Sequence, residues 1–211
     1  SSQLITAVLS ERGVAALHVD ARRCIKTDDV YGSATPQPET AAAVRAEVKH
    51  LVESRKVAVL GGFIGSTARD VTTTLGRGGS DYTAAIVGAA LDAREIQIWT
   101  DVSGVLTADP HVVPDAGTIP VLSYQEAAEL AYFGAKILHP ATIWPAQQYN
   151  IPVKLLNTMK PEAKGTTITQ DPGSVGVKAV AAKDNIIAIR VKSSRMLLAY
   201  GFLRKIFEIF E

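Results

Sequence analysis

The strongest constraint on this chain is its rhythm: short apolar or β-branched runs alternate with stretches of helical periodicity. VAALHVD (14–20), VAVLGG (57–62), EIQIWT (95–100), PVKLLN (152–157) and TTIT (166–169) read as strands, the first of them buried. Leu4, Ile5, Val8 and Leu9 recur at helical spacing up to a stop at Gly13. Val44, Val48, Leu51 and Val52 do the same within 39–55, and an Ala-rich helix is expected over about 80–92. Ser123-Tyr124-Gln125-Glu126 is a capping box, opening a helix that ends near Gly134. Pro140 stands just inside another helix start, after His139. Strands joined by helices pair in parallel and are covered on both faces. The expected fold is therefore α/β, a three-layer sandwich around a mainly parallel central sheet.

Composition narrows the partners. Apolar residues make up 47% of the 211 and charged ones 20%, with a net charge of +1. That is enough for a sizeable core, and it lacks the basic excess of a nucleic-acid binder. No apolar run reaches the ~18 residues of a membrane span. The single cysteine, Cys24, fits a reducing, cytoplasmic setting. Gln170 to Ser174 (QDPGS) reads as a linker, dividing a domain at 1–170 from a second unit at 171–211. In that unit VKAVAAKDNIIAIRVKSS reads as two strands around Asp184-Asn185, and MLLAYGFLRKIFEIFE as an amphipathic helix. One strand pair and one helix cannot bury both faces of a sheet, so the second unit reads as incomplete. The helical pattern at the very start suggests a piece of a longer protein.

Ligands of open α/β sheets sit beyond the strand C-termini. Two loops occupy that position, 61–80 and 100–110. The first is glycine-rich, with room for a hairpin, and ends in Thr72-Thr73-Thr74-Leu75-Gly76-Arg77-Gly78-Gly79-Ser80-Asp81. Glycines let a ligand approach the backbone and offer N–H groups to anions. Ser80 is placed to cap the next helix, and Arg77 offers a planar fork to a carboxylate or phosphate. Asp81 would repel a phosphate and makes sense only beside a cationic side chain. The plainer reading is a flexible loop with an ordinary helix cap.

The second loop, Trp99-Thr100-Asp101-Val102-Ser103-Gly104-Val105 with Thr107-Ala108-Asp109-Pro110, carries a Thr-Asp pair. Such a pair can bond a ribose, a purine edge or a hydrated magnesium ion; the plainer reading is an Asx-turn and a hairpin. Phe133-Gly134-Ala135-Lys136 adds a lysine at a helix stop, a surface residue in its plainer reading. The P-loop, the dinucleotide fingerprint, the protein-kinase signatures, G-x-S-x-G and zinc-ligand clusters are missing from the sequence. Residues alone therefore reach "α/β protein with an anion-friendly loop edge" and no further.

TTTLGRGGSDYTA (72–84), WTDVSGVLTADP (99–110) and FGAKILHPATI (133–143), in that order, resemble the aspartate kinase family across nearly the whole chain. The 177–191 stretch resembles the opening of an ACT domain. The resemblance implies phosphoryl transfer from ATP, with Mg²⁺, to L-aspartate, giving 4-phospho-L-aspartate. It implies that Arg77 and Ser80 hold aspartate, and that Asp81 orients catalytic lysines. Lys136 is expected at the ATP phosphates, and Thr100, Asp101, Leu106 and Asp109 around the nucleotide. Lysine or threonine as effector and a homo-oligomer are implied for a full-length enzyme, and no metal site built by the protein itself.

Many family members carry an aromatic where Leu106 stands and Arg where His111 stands. The family's lysine-bearing strand and glycine turn, and its substrate-binding Glu, have no counterpart here. The expectation is that the chain alone does not turn over, and that an open sheet edge favours self-association. Two further readings stay open: another amino-acid kinase of this fold, and a non-catalytic amino-acid-sensing or dimerising segment.

Overall fold

The computed structural model describes residues 1–133, 140–173, 176–182, 186–187, 189–192 and 201–209, with the side chains of 140–142 left aside. The chain opens with α1 (Ser2–Glu11), β1 (Ala16–Val19) and the short α2 (Ala21–Cys24). Then α3 (Glu39–Val44) runs through a π turn (Arg45–Lys49) into α4 (His50–Glu53), followed by β2 (Val57–Leu60). A hairpin of β3 (Ile64–Ser66) and β4 (Thr72–Thr74) leads to α5 (Gly79–Ala90) and β5 (Ile96–Thr100). After these come β6 (Val121–Ser123), α6 (Tyr124–Tyr132), α7 (Pro140–Gln148), β7 (Val153–Asn157), β8 (Thr166–Thr169) and α8 (Phe202–Phe207). No helix among the described residues is long and apolar enough to cross a membrane.

The architecture is α/β, and among the described residues its strands fall into three sheets. β1 and β2 pair in parallel, β3 and β4 form the hairpin, and the largest sheet runs β5-β7-β8-β6. Within it β5–β7 and β6–β8 are parallel, while β7–β8 is antiparallel. Two of its three ladders are parallel, as expected of a mainly parallel sheet, and the β7–β8 pair is the exception. Residues 158–165 hold no helix, and a short turn can only bring a strand back antiparallel. β1 departs too: Leu17 and His18 are exposed, and only Ala16 and Val19 are buried. β6 is unannounced by periodicity, being only Val121-Leu122-Ser123 ahead of the capping box.

Two apolar cores hold the fold. One gathers Ile96, Ile98, Leu122, Tyr124, Ile143, Val153, Leu155 and Ile168 between the largest sheet and its helices. The other gathers Val19, Cys24, Ile25, Val44, Val48 and Leu51 near the β1–β2 pair. Helix α5 serves both, with Ala85 and Ala89 in the first and Ala90 in the second. Its Gly88 lets Ile96 pack close, since a Cβ there would lie 2.7 Å from Ile96 Cγ1. A short turn joins α5 to β5, and the two pack on each other, so they run antiparallel. The N-terminus of α5 and the C-terminus of β5 therefore share one end of the molecule.

Helix α6 begins as the sequence predicts. Ser123 Oγ accepts the Glu126 N–H, and Glu126 accepts the Ser123 N–H, closing the capping box. The described residues of 176–192 form no strand. Val177, Ile187 and Val191 stay exposed.

Candidate active site

The glycine-rich loop becomes a tight cradle at the start of α5. Gly76 and Gly78 take left-handed conformations, φ +74° and +71°, with Arg77 exposed between them. Gly79 N–H donates to Gly76 O at 3.1 Å, and Tyr82 N–H to Gly78 O at 3.0 Å. The helix cap is Gly78, not Ser80. Ser80 lies one residue inside the helix, because two successive left-handed glycine turns bring the chain into α geometry early. Its hydroxyl is thus not spent on capping, and Ser80 is exposed.

Gly62, at the end of the β2 loop, packs on the same turn, where a Cβ would lie 2.9 Å from Ser80 Cα. Asp81 follows, half-buried on the first turn of α5. Burial pushes its carboxyl above the usual range, and among the described residues no cation pairs with it. With its folded pKa raised, the ionised form costs stability once pH rises through that pKa. A half-buried carboxylate kept at such a cost marks a functional-site candidate.

At the same end, β5 delivers Thr100 and Asp101. Thr100 Oγ1 donates to Asp101 Oδ1 at 3.0 Å, and Asp101 is exposed. The loop beyond is held from below by two residues that sequence reasoning missed. Buried Asn157, the last residue of β7, donates through Nδ2 to Ser103 Oγ at 2.9 Å and to Asp101 O at 3.4 Å. Fully buried Thr166, opening β8, accepts the Val105 N–H at 2.8 Å and donates to Ile119 O at 2.6 Å.

Gly104, at φ +102°, lies against Thr166, where a Cβ would come 2.5 Å from the hydroxyl. Leu106 then bridges to Thr118, and Thr107 N–H donates to Gly117 O at 2.9 Å. Past it, Asp109 Oδ1 accepts the His111 N–H and lies 2.9 Å from His111 Nδ1. Thr100, Asp101, Leu106 and Asp109 thus lie on one continuous loop, braced from β7 and β8 by Asn157 and Thr166.

Lys136 and His139 lie outside the described residues. Arg77, Ser80 and Asp81 are gathered on one turn, and Thr100 and Asp101 at the neighbouring strand end. The described residues hold no cluster of three His, Cys, Asp or Glu suited to a metal ion. A pocket of about 270 Å³ lies elsewhere, between α6 and residues 176–181, and none of the candidate residues lines it.

Residues 1–157 match the amino acid kinase family. The chain belongs to that family. Its relatives carry the likeness across the whole sequence. Aspartokinase 2 of Arabidopsis thaliana chloroplasts is 42% identical over 100% of this chain and 40% of its own length. Lysine-sensitive aspartokinase 3 of Escherichia coli is 41% identical over 99% of this chain and 47% of its own. A solved structure of E. coli aspartokinase III in complex with aspartate and ADP superposes with a TM-score of 0.72. It is 43% identical, covering 80% of this chain and 38% of that one. The chain therefore spans less than half the length of these aspartokinases, and its amino acid kinase match ends at Asn157, the residue that braces the second loop.

Proposed function

We propose that this chain is the nucleotide-side portion of an aspartate kinase, which transfers the γ-phosphoryl group of ATP to the side-chain carboxylate of L-aspartate. One observation carries the reading. The GRGGSD segment folds as a glycine cradle that presents Arg77 and Ser80 at the end of the molecule where β5 presents Thr100 and Asp101. The identity to aspartokinases over the whole chain supports the choice of substrate within the family.

In this reading the exposed Arg77 guanidinium takes the α-carboxylate of aspartate as a bidentate pair. Ser80 donates its hydroxyl to the same substrate. Asp81, half-buried beside them, holds a lysine ammonium in place, and that pairing would relieve its burial cost. Lys136 is assigned to the ATP phosphates, to offset charge that develops on transfer. The loop from Thr100 to Asp109 lines the nucleotide. Thr100 and Asp101 offer a hydroxyl and an exposed carboxylate, oxygen chemistry that suits the hydrated magnesium of a Mg–ATP substrate. Proximity and electrostatics do most of the work in such a transfer.

Residues 171–211 would open an ACT-like regulatory unit, with lysine or threonine as effector in a homo-oligomeric, cytoplasmic enzyme. The decisive experiment is a coupled ADP-release assay on the full-length gene product. Turnover with L-aspartate but not with glutamate, acetylglutamate or UMP is the expected result. Asp81→Ala and Lys136→Ala should abolish it with the fold intact. Equal turnover with one of the other acceptors, or full activity in both variants, would remove the assignment.

A further inference from the structure

The turn that carries Arg77 and Ser80 is gripped from behind by residues that none of the roles above includes. Phe63 sits between the β2 loop and β3 with φ +77°, a conformation that bulky residues rarely adopt. Both of its backbone groups are engaged. Its N–H donates to Thr83 Oγ1 at 3.1 Å, and its carbonyl accepts the Leu75 N–H at 2.9 Å. Thr83 is buried, and its hydroxyl donates onward to Gly79 O at 2.7 Å. The Phe63 ring lies over Gly79, where a Cβ would come 2.7 Å from the ring carbon Cδ2. One hydroxyl thus ties the left-handed residue of one loop to the first turn of α5.

A left-handed phenylalanine persists only where its surroundings over-determine it, and such residues cluster at ligand clamps. Core burial does not account for Phe63, since 41% of it remains exposed. Nor does an ordinary helical hydroxyl account for Thr83. A threonine that only bonds back to the carbonyl four residues earlier needs no second partner. Here the same oxygen also accepts from Phe63, 20 residues away in sequence. The Leu75–Phe63 bond anchors the strand just ahead of Gly76-Arg77-Gly78. The Thr83–Gly79 bond anchors the helix just behind it.

We propose that Phe63 and Thr83 are positioning residues that fix the Arg77–Ser80 turn, and so set affinity for the amino-acid carboxylate rather than for the nucleotide. The inference rests on the aspartate kinase reading. The nucleotide loop is braced separately by Asn157 and Thr166, so a loosened clamp should spare it.

The test is Thr83→Val in the full-length gene product, with Thr83→Ser as the conservative partner. Thr83→Val should raise KM for aspartate about tenfold, the equilibrium effect of losing the hydrogen bond that ties Phe63 to the helix. KM for ATP should stay within about twofold, and Thr83→Ser should restore the aspartate KM. Phe63→Leu keeps the question open if Thr83→Val folds poorly by circular dichroism; it should show the same split. An unchanged aspartate KM in the folded variants, or aspartate and ATP KM rising together, overturns the proposal. An unsubstituted protein that forms no ADP with aspartate overturns the activity reading and this inference with it, a result visible before any variant is made.

Discussion

Thr166→Val offers a sharp test of how the second loop is held. The hydroxyl of Thr166 is fully buried, accepts from Val105 N–H and donates to Ile119 O. Valine keeps the shape of the side chain, so no cavity opens; only the polar function goes. The lost bond to Ile119 O costs about 1 kcal/mol, and the buried Val105 N–H left without an acceptor costs ~1–3 kcal/mol. The expected loss is roughly 2–4 kcal/mol, a large share of the ~5–15 kcal/mol that holds a domain folded. For a chain of 211 residues, each kcal/mol moves Tm by about 2–4 °C, so a fall of roughly 5–15 °C is expected. Thermal melts followed by circular dichroism measure it, with Thr166→Ser as control. A Thr166→Val melting point within about 2 °C of the parent would refute the bracing argument. So would a serine variant as unstable as the valine one.

Cys24 is fully buried, and burial first, then the nearby Glu47, pushes its thiol up to about 11. A thiol reagent at pH 8 should label it slowly in the native protein and promptly in urea; fast native labelling would contradict that packing. Asp20 is held at about 2, mainly by its hydrogen bond to the Arg22 guanidinium, against an ordinary 3.8. A depressed carboxylate adds stability above its unfolded pKa and loses it as pH falls toward the folded one. Urea midpoints of the parent and Asp20→Asn should therefore differ at pH 6 and converge near pH 2, a constant gap counting against the linkage. Lys178 donates to Glu126 Oε2 at 3.0 Å, and Val180 N–H to Thr107 O at 2.9 Å, strapping 176–182 across α6 and the second loop. Lys178→Ala should speed proteolysis within that strap, and an unchanged cleavage rate would argue against its anchoring role.

Local chemistry was legible from the sequence, because it is decided within a turn or two. The Ser123–Glu126 box, the stop at Gly13 and the helix over 79–90 needed only neighbours in the chain. The grouping of the candidate residues was visible too, since Arg77, Ser80 and Asp81 fall within one short glycine-rich stretch and Thr100 and Asp101 are neighbours. Ser80 shows where local reading fails: its composition suits a cap, yet the left-handed Gly78 takes that place.

What only the tertiary structure decided is which distant groups satisfy the loops. Asn157 reaches Ser103 across 54 residues and Thr166 reaches Val105 across 61, and neither looks special in its own strand. Phe63 reads as one more apolar residue until its left-handed φ and its bond to Thr83 are seen. The strand pairing of β7 with β8 likewise depends on a turn without a helix, not on the strands themselves. Sequence specifies what each segment can bond; folding selects which buried donor meets which acceptor, because an unpaired one would cost too much.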